Sequence, residues 1–173
     1  MRDDEVYALL SSPGWLLMPV GLPGAGKSTL GGLLIAHGLM DRHGILSTDR
    51  LREWLGGRRD WLGDEDLVFR HAREILAARL RNGLSTYFDA TNIRAADRNY
   101  AFTAAQAAGR AVLVIRFAEP EEMCRRRRAH QGVVYDDQVW DGLVKDLAEI
   151  DWSRLAAPWV DSAALARIIA DQT

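Results

Sequence analysis

The chain has 173 residues, 22 basic against 24 acidic for a formal net charge of -2, with 48% hydrophobic and 27% charged residues and one cysteine. That balance suits one folded domain over 1–173 with a full apolar core, and it excludes a disordered chain. The lone Cys124 excludes an internal disulfide and a multi-cysteine zinc site, so a reducing, cytoplasmic setting is expected. The near-balance of charge gives no global pull toward nucleic acid, which would need a local basic patch. The acidic start, Met1-Arg2-Asp3-Asp4-Glu5, leads into no long apolar run and reads as no signal peptide. No stretch nears the ~20 apolar residues that span a bilayer, so no membrane partner is expected.

In chain order, Val6 to Leu10 reads as a short helix stopped by Ser11-Ser12-Pro13-Gly14. Trp15 to Val20 is an apolar run bounded by glycine, as a buried strand would be. Pro19 lacks a ladder donor, so this strand is expected to fray near its end. Ser28 to Met40 follows as a helix, and Gly44 to Thr48 as a second strand ending at Asp49. Asp64-Glu65-Asp66 opens a long helix that Asn82-Gly83 stops, since acids suit the positive helix end and glycine the cap. Leu84 to Ala90 is the third strand, Ala95 to Ala108 a helix, and Ala111 to Phe117 the most continuous β-branched run. Helices then start near Pro120, over Asp136 to Glu149, and from about Ser162. Strands alternating with helices specify an α/β fold with a parallel sheet covered on both faces.

Between the first strand and its helix lies Gly21-Leu-Pro-Gly24-Ala25-Gly26-Lys27-Ser28-Thr29. This is G-x-x-x-x-G-K-[ST] in the strand–helix context the mechanism requires. Its backbone N–H groups and the helix N-terminus suit phosphate oxygens, Lys27 suits the β- and γ-phosphates, and Ser28 suits Mg²⁺. No guanine-reading N-K-x-D occurs, which favours ATP, and the short chain favours a small kinase over a long ATPase core.

Two further strand ends point at the same crevice. Asp49 could take the proton of an attacking hydroxyl or merely cap the next helix. Arg52, three residues on, could hold an anionic acceptor or steady Asp49. Asp89 could meet Mg²⁺ through water or hold the Ser28 region, while Thr91 and Asn92 could cap the helix near Ala95 or, for Asn92, face substrate.

GLPGAGKST, S-T-D-R-L-R, Y-F-D-A-T-N and A-E-P-E-E-M-C-R-R-R-R occur in that order. On these motifs, from about Leu16 to the final helix, the chain resembles the 5′-hydroxyl polynucleotide kinases among P-loop phosphotransferases, such as the kinase domains of phage and bacterial end-healing enzymes. The resemblance implies a P-loop NTPase fold with ATP and Mg²⁺. It implies Asp49 as general base, Arg52 as the arginine that contacts the acceptor, Lys27 and Ser28 as the donor-phosphate and Mg²⁺ ligands, and a helical arginine-bearing lid over about 121–138; Asp89 and Asn92 stand beside these as substrate-side candidates. Within the lid Arg127 is the matching phosphate clamp, with Arg128 as the alternative on the donor side. The chain departs from that pattern at Ala129-His130-Gln131-Gly132, where a second lid arginine would stand, and at 152–161, which has little strand character.

The favoured acceptor on this reading is the 5′-hydroxyl end of DNA or RNA, and the alternative is a sugar, nucleoside or antibiotic hydroxyl. A third reading is an ATP-binding regulatory protein that transfers nothing. Four consecutive arginines cannot share one helix face, so some of Arg125–Arg128 point elsewhere. Arg58 and Arg59 read as an acidic-acceptor patch or a solvated loop. Trp54 and Trp61 read as packing residues before base-stacking ones, the four histidines show no metal-ligand spacing, and Cys124 reads as packing.

Overall fold

The computed structural model describes residues 1–61 and 63–171. Five strands form one parallel sheet: β1 (Leu16–Val20), β2 (Ile45–Ser47), β3 (Thr86–Asp89), β4 (Val112–Arg116) and β5 (Trp159–Asp161), in the order β2-β3-β1-β4-β5. Eight helices connect and cover it: α1 (Asp3–Ser11), α2 (Lys27–Ala36), α3 (Thr48–Gly56), α4 (Glu65–Arg81), α5 (Ala95–Ala107), α6 (Glu121–His130), α7 (Asp137–Ala148) and α8 (Ser162–Ala170). The chain steps outward from β1 to β2 and back to β3, so right-handed crossovers place α2 and α4 on opposite faces. Helix α8 returns to pack beside α1 and α2, and α5 packs beside α4. The expected α/β, P-loop NTPase architecture is the one observed.

Buried strands explain the near-continuous apolar runs. Every residue of β1 and β3 is buried, and Tyr87 and Trp15 are among the largest fully buried side chains. Pro19, however, does not fray its strand: β1 pairs with β4 over all five residues. Trp15 O accepts from Thr86 on the β3 side and Leu16 N donates to Ala111 on the β4 side, so odd positions of β1 face β3. There the ladder ends at Leu17, so the N–H that Pro19 lacks has no strand partner to miss.

The region that reads as poor in strand character still supplies β5, three residues paired with Val114, Ile115 and Arg116. Arg116 fixes it by donating to both oxygens of Asp161 while lying over the rings of Trp152 and Trp159. Asp64 caps α4 through Leu67 N at 2.8 Å, as its acidic first turn suggests. Asp49 does not cap α3. Ser47 does, leaving the Asp49 carboxylate free of the helix end. No described helix is long and apolar enough to cross a membrane.

Candidate active site

The carboxyl ends of β1, β2 and β3 open into a cleft of about 1410 Å³. Its floor is the loop from β1 to α2. Gly24 and Gly26 hold φ angles of 84° and 96°, which other residues adopt at a cost. A Cβ on Gly24 would also meet Cys124 O at 2.5 Å, so α6 packs directly on this loop. Gly21 is buried and lies outside the cleft lining; its N–H donates to Thr91 O and a Cβ there would strike Phe117. Gly21 therefore shapes the loop from beneath, whereas Gly24, Ala25, Gly26, Lys27, Ser28 and Thr29 line the cleft.

Lys27 is the electrostatic centre of the loop. Only 8% exposed, its ammonium donates to the carbonyls of Gly21 and Leu22 at 2.9 and 2.7 Å. Burial pulls its pKa from 10.5 down to about 8, against the pull of the Asp89 and Asp49 charges. Its backbone is set by Tyr87, whose buried hydroxyl donates to Lys27 O at 2.7 Å. A charged amine held by neutral carbonyls, in a loop with two left-handed glycines, fits an anionic phosphate chain. Beside it Ser28 Oγ donates to Asp89 Oδ2 at 2.8 Å. Burial raises the Asp89 pKa, opposed by the Ser28 hydrogen bond and by Lys27. A hydroxyl and one buried carboxylate fit Mg²⁺, which keeps several waters and takes few protein oxygens.

Across the cleft, Asp49 accepts from Arg52 Nη1 at 2.7 Å. Arg52 is also gripped by Glu65 of α4, which accepts from Nε and Nη2 at 2.8 Å each. Three of the five Arg52 N–H groups go to these two carboxylates and another reaches Thr48 Oγ1 at 3.5 Å, so its geometry braces Asp49. Glu65 escapes a sequence reading because its only local signal is that of a first-turn acid. Its partner lies 13 residues away, across the turn between α3 and α4.

The arginine run divides as helical geometry requires. Arg125 turns to α7, pairing with Asp137 at 2.6 Å and lying over Trp140. Arg127 and Arg128 enter the cleft. Arg127, half exposed, donates to Gly24 O at 3.3 Å and pairs with Glu119 at 3.2 Å. Arg128 is far more enclosed: it donates to Gln131 and Tyr135, and its Nη1 stands 3.8 Å from Asp49 Oδ2. Its buried Nε has no partner among the described residues. The arginine over the acid is thus Arg128, and Arg127 attends the loop.

Asn92 lies apart from the cleft lining. It is 1% exposed at φ 51°, and its Nδ2 donates to the carbonyls of Pro19, Phe88 and Ala90. Neither Thr91 nor Asn92 caps α5, which begins after Arg94 without a side-chain cap. Asn92 ties β3 to β1 where their ladder has parted. Trp54, expected to pack, is 77% exposed, while Trp61 lies against Gly56 and Gly63. Cys124 is fully buried, and burial pushes its thiol pKa up. No described group of three or more His, Cys, Asp or Glu is arranged to hold a metal.

A phosphate loop on β1, an acid on β3 against its serine, and a second acid across the cleft define the class: a P-loop NTPase domain with a kinase-like fold. The chain belongs to the AAA domain family, whose model matches residues 16–147. Among solved structures it is similar to a protein of Chloroflexus aurantiacus described as a kinase, at 18% identity and a TM-score of 0.67, covering 94% of this chain and 100% of that one. The shikimate kinase of Acinetobacter baumannii, bound to shikimate, aligns at 18% identity and a TM-score of 0.59, covering 96% and 95%. The APS kinase of Mycobacterium tuberculosis, bound to AMPPNP and APS, aligns at 19% and 0.58, covering 92% and 97%. These likenesses carry the fold. No curated relative matches the sequence.

Proposed function

We propose that the protein is a kinase that moves the γ-phosphoryl group of a nucleoside triphosphate, ATP in the first instance, to a hydroxyl of a small molecule. The observation that carries this reading is Asp49. It stands in the same cleft as Lys27, fixed by Arg52 and free of the helix cap. A nucleotide-binding regulator has no use for a braced carboxylate on the acceptor side; an ATPase would set it on water, and the acceptor dependence read in the screen below separates hydrolysis from transfer.

In this reaction Asp49 accepts the acceptor's hydroxyl proton as its oxygen bonds to the γ-phosphorus, and the bond to the β–γ bridging oxygen breaks to leave the nucleoside diphosphate. Lys27 holds the β- and γ-phosphates, leaving the Gly21 and Leu22 carbonyls for them. Arg128 holds its guanidinium beside Asp49, with Nη1 3.8 Å from Oδ2, where charge develops on the transferred group. Arg127 steadies the loop at Gly24. Ser28 would hold Mg²⁺, with Asp89 reached through water; the ion supplies charge neutralisation of the β- and γ-phosphates. The helix α6 and the turn to α7 act as the lid.

The 5′-hydroxyl of a nucleic acid is the competing acceptor, and the motif resemblance speaks for it. The charges of the cleft speak for a small molecule. A nucleic-acid strand is followed by free cations along its backbone. Here Arg52 is held by Glu65 and Asp49, Arg59 and Arg73 are paired with Glu53 and Asp97, and of the described arginines that line the cleft only Arg94 has no carboxylate partner, one free cation where a strand would need several. The small-molecule kinases of like fold support the same choice. A screen of sugars, nucleosides, hydroxy acids and 5′-hydroxyl oligonucleotides, read by acceptor-dependent nucleoside diphosphate release, tests the reading. Release with a small compound and none with oligonucleotides supports it; release with oligonucleotides alone refutes it.

A further inference from the structure

Arginine is long and rotates freely, so a guanidinium acts strongly on a developing charge only when something fixes it. Arg128 has two side-chain partners beside the acid it faces. Gln131, the cap residue at the end of α6, accepts from Nη1 at 3.0 Å, and the hydroxyl of Tyr135 accepts from Nη2 at 3.3 Å. The guanidinium carbon also lies 5.6 Å from the centre of the Tyr135 ring. Both partners line the cleft, but Gln131 is exposed whereas Tyr135 packs against the core. Tyr135 is therefore the anchored one of the two.

Its anchor is a feature of the helix start. Asp136 caps α7, so Tyr135 stands one residue before the cap and Trp140 is the fourth helical residue. An apolar pair at those two places staples the first turn and sets the angle at which the chain enters the helix. Here the two rings meet at 5.7 Å, tilted by 60°. Trp140 is in turn tied to α6: it is 1% exposed, and its indole N–H donates to Glu121 Oε1 at 2.8 Å. Arg125, on the same helix, lies over its ring at 5.0 Å. The staple thus holds the phenol of Tyr135 back across the turn between α6 and α7, against the Arg128 guanidinium.

We propose that Tyr135 is a positioning residue for phosphoryl transfer: stapled to Trp140, it fixes the Arg128 guanidinium beside Asp49, so that the lid delivers a set charge to the group in transfer. The inference rests on the reading of Arg128 given above as the arginine that acts on that group. It makes Tyr135 matter when the transferred group carries its developing charge, and not when the nucleoside diphosphate alone is bound.

The test uses the full chain and needs no acceptor. It is the calorimetric affinity for ADP with Mg²⁺, alone and with aluminium fluoride, an anionic mimic of the group in transfer. Aluminium fluoride should tighten ADP binding to the parent protein. Tyr135→Phe keeps the ring and the staple and loses only the hydroxyl, and it should cut that gain by about threefold to tenfold. ADP alone should bind this variant within about twofold of the parent protein. Arg128→Ala should remove the larger part of the gain, and adding Tyr135→Phe to it should lower the remainder by less than about twofold, because the two residues act as one unit. A full gain kept by Tyr135→Phe overturns the proposal. So does a loss of the same size with and without Arg128, or ADP alone weakened as much as the complex, which is what a merely structural role would give. No gain in the parent protein refutes the reading of Arg128 and this inference with it. A gain that depends on Tyr135, beside a screen that finds no acceptor, refutes transfer to a small molecule and leaves this inference standing.

Discussion

Arg52 stands between two carboxylates of different helices, 2.7 Å from Asp49 and doubly bonded to Glu65 at 2.8 Å. Asp49 is thus aimed at the cleft by a guanidinium that is itself aimed by Glu65. Two parallel hydrogen bonds fix the plane of Arg52, which a single contact would not.

Glu65→Gln should therefore act on catalysis more than on folding. It leaves one bond in place of two, and the partly exposed pair is screened, so stability should fall by about 1 kcal/mol or less. Misaiming the base should lower kcat by about tenfold to a hundredfold. The KM for the nucleotide should not change, because Glu65 bonds Arg52 and no residue of the phosphate loop. Thermal denaturation beside steady-state kinetics checks the split; equal losses in kcat for Glu65→Gln and for an exposed control such as Glu74→Gln would count against it.

Lys27 carries a charge that folding makes expensive. Its pKa is lowered by burial from 10.5 to about 8, so below pH 8 both states hold the proton and the folded state bears the full cost. Between pH 8 and 10.5 the unfolded chain binds more protons, and this group's contribution to stability rises with pH. Lys27→Met should raise the stability of the nucleotide-free protein by about 3 kcal/mol at pH 7, a gain that fades toward pH 10.5. The same variant should lose triphosphate binding. Denaturant titrations at several pH values would reveal the trend, and a gain that grows above pH 8 would contradict it.

Arg127 and Arg128 are neighbours with different duties. Arg128 is enclosed beside Asp49, whereas Arg127 is half exposed at the loop. Arg128→Ala should lower kcat by about a thousandfold, the scale of an arginine acting on transition-state charge. Arg127→Ala should change kcat by less than about tenfold and act chiefly on nucleotide KM, as loss of one exposed contact does. Reversal of that order would return the clamp to Arg127.

Asn92 gives a contrast in the other direction. It bonds three carbonyls from a buried, left-handed position, so Asn92→Ala takes a donor from each, of which Phe88 O keeps the Ala90 N–H, and strains the backbone. A loss of about 2–4 kcal/mol in stability is expected. Turnover per folded molecule should stay near that of the parent protein, and a large fall in kcat with unchanged stability would instead make Asn92 a substrate contact.

These residues also show what a sequence discloses. The phosphate loop is legible because its chemistry is local: glycines, lysine and serine act within one strand–helix turn. Asp49 and Asp89 are legible because strand ends of a parallel sheet meet at one crevice. Asn92 follows the same strand-end logic, yet three residues past the end of β3 the chain has turned inward to bond Pro19. Glu65 and the division between Arg127 and Arg128 are tertiary facts, set by how α4 meets α3 and which side of α6 rests on Gly24. The strand β5 is three residues long and held by Arg116 and two tryptophans, so it leaves little alternating pattern to read.

The most direct test of the account is transfer of label from γ-labelled ATP to the acceptor identified in the screen, comparing the parent protein with Asp49→Asn and Lys27→Met. The account predicts a labelled small molecule from the parent protein. It predicts loss of transfer in both variants, with ATP still bound by Asp49→Asn and no longer by Lys27→Met. Transfer that survives Asp49→Asn undiminished, or label found on oligonucleotide 5′ ends and on no small hydroxyl compound, would contradict it.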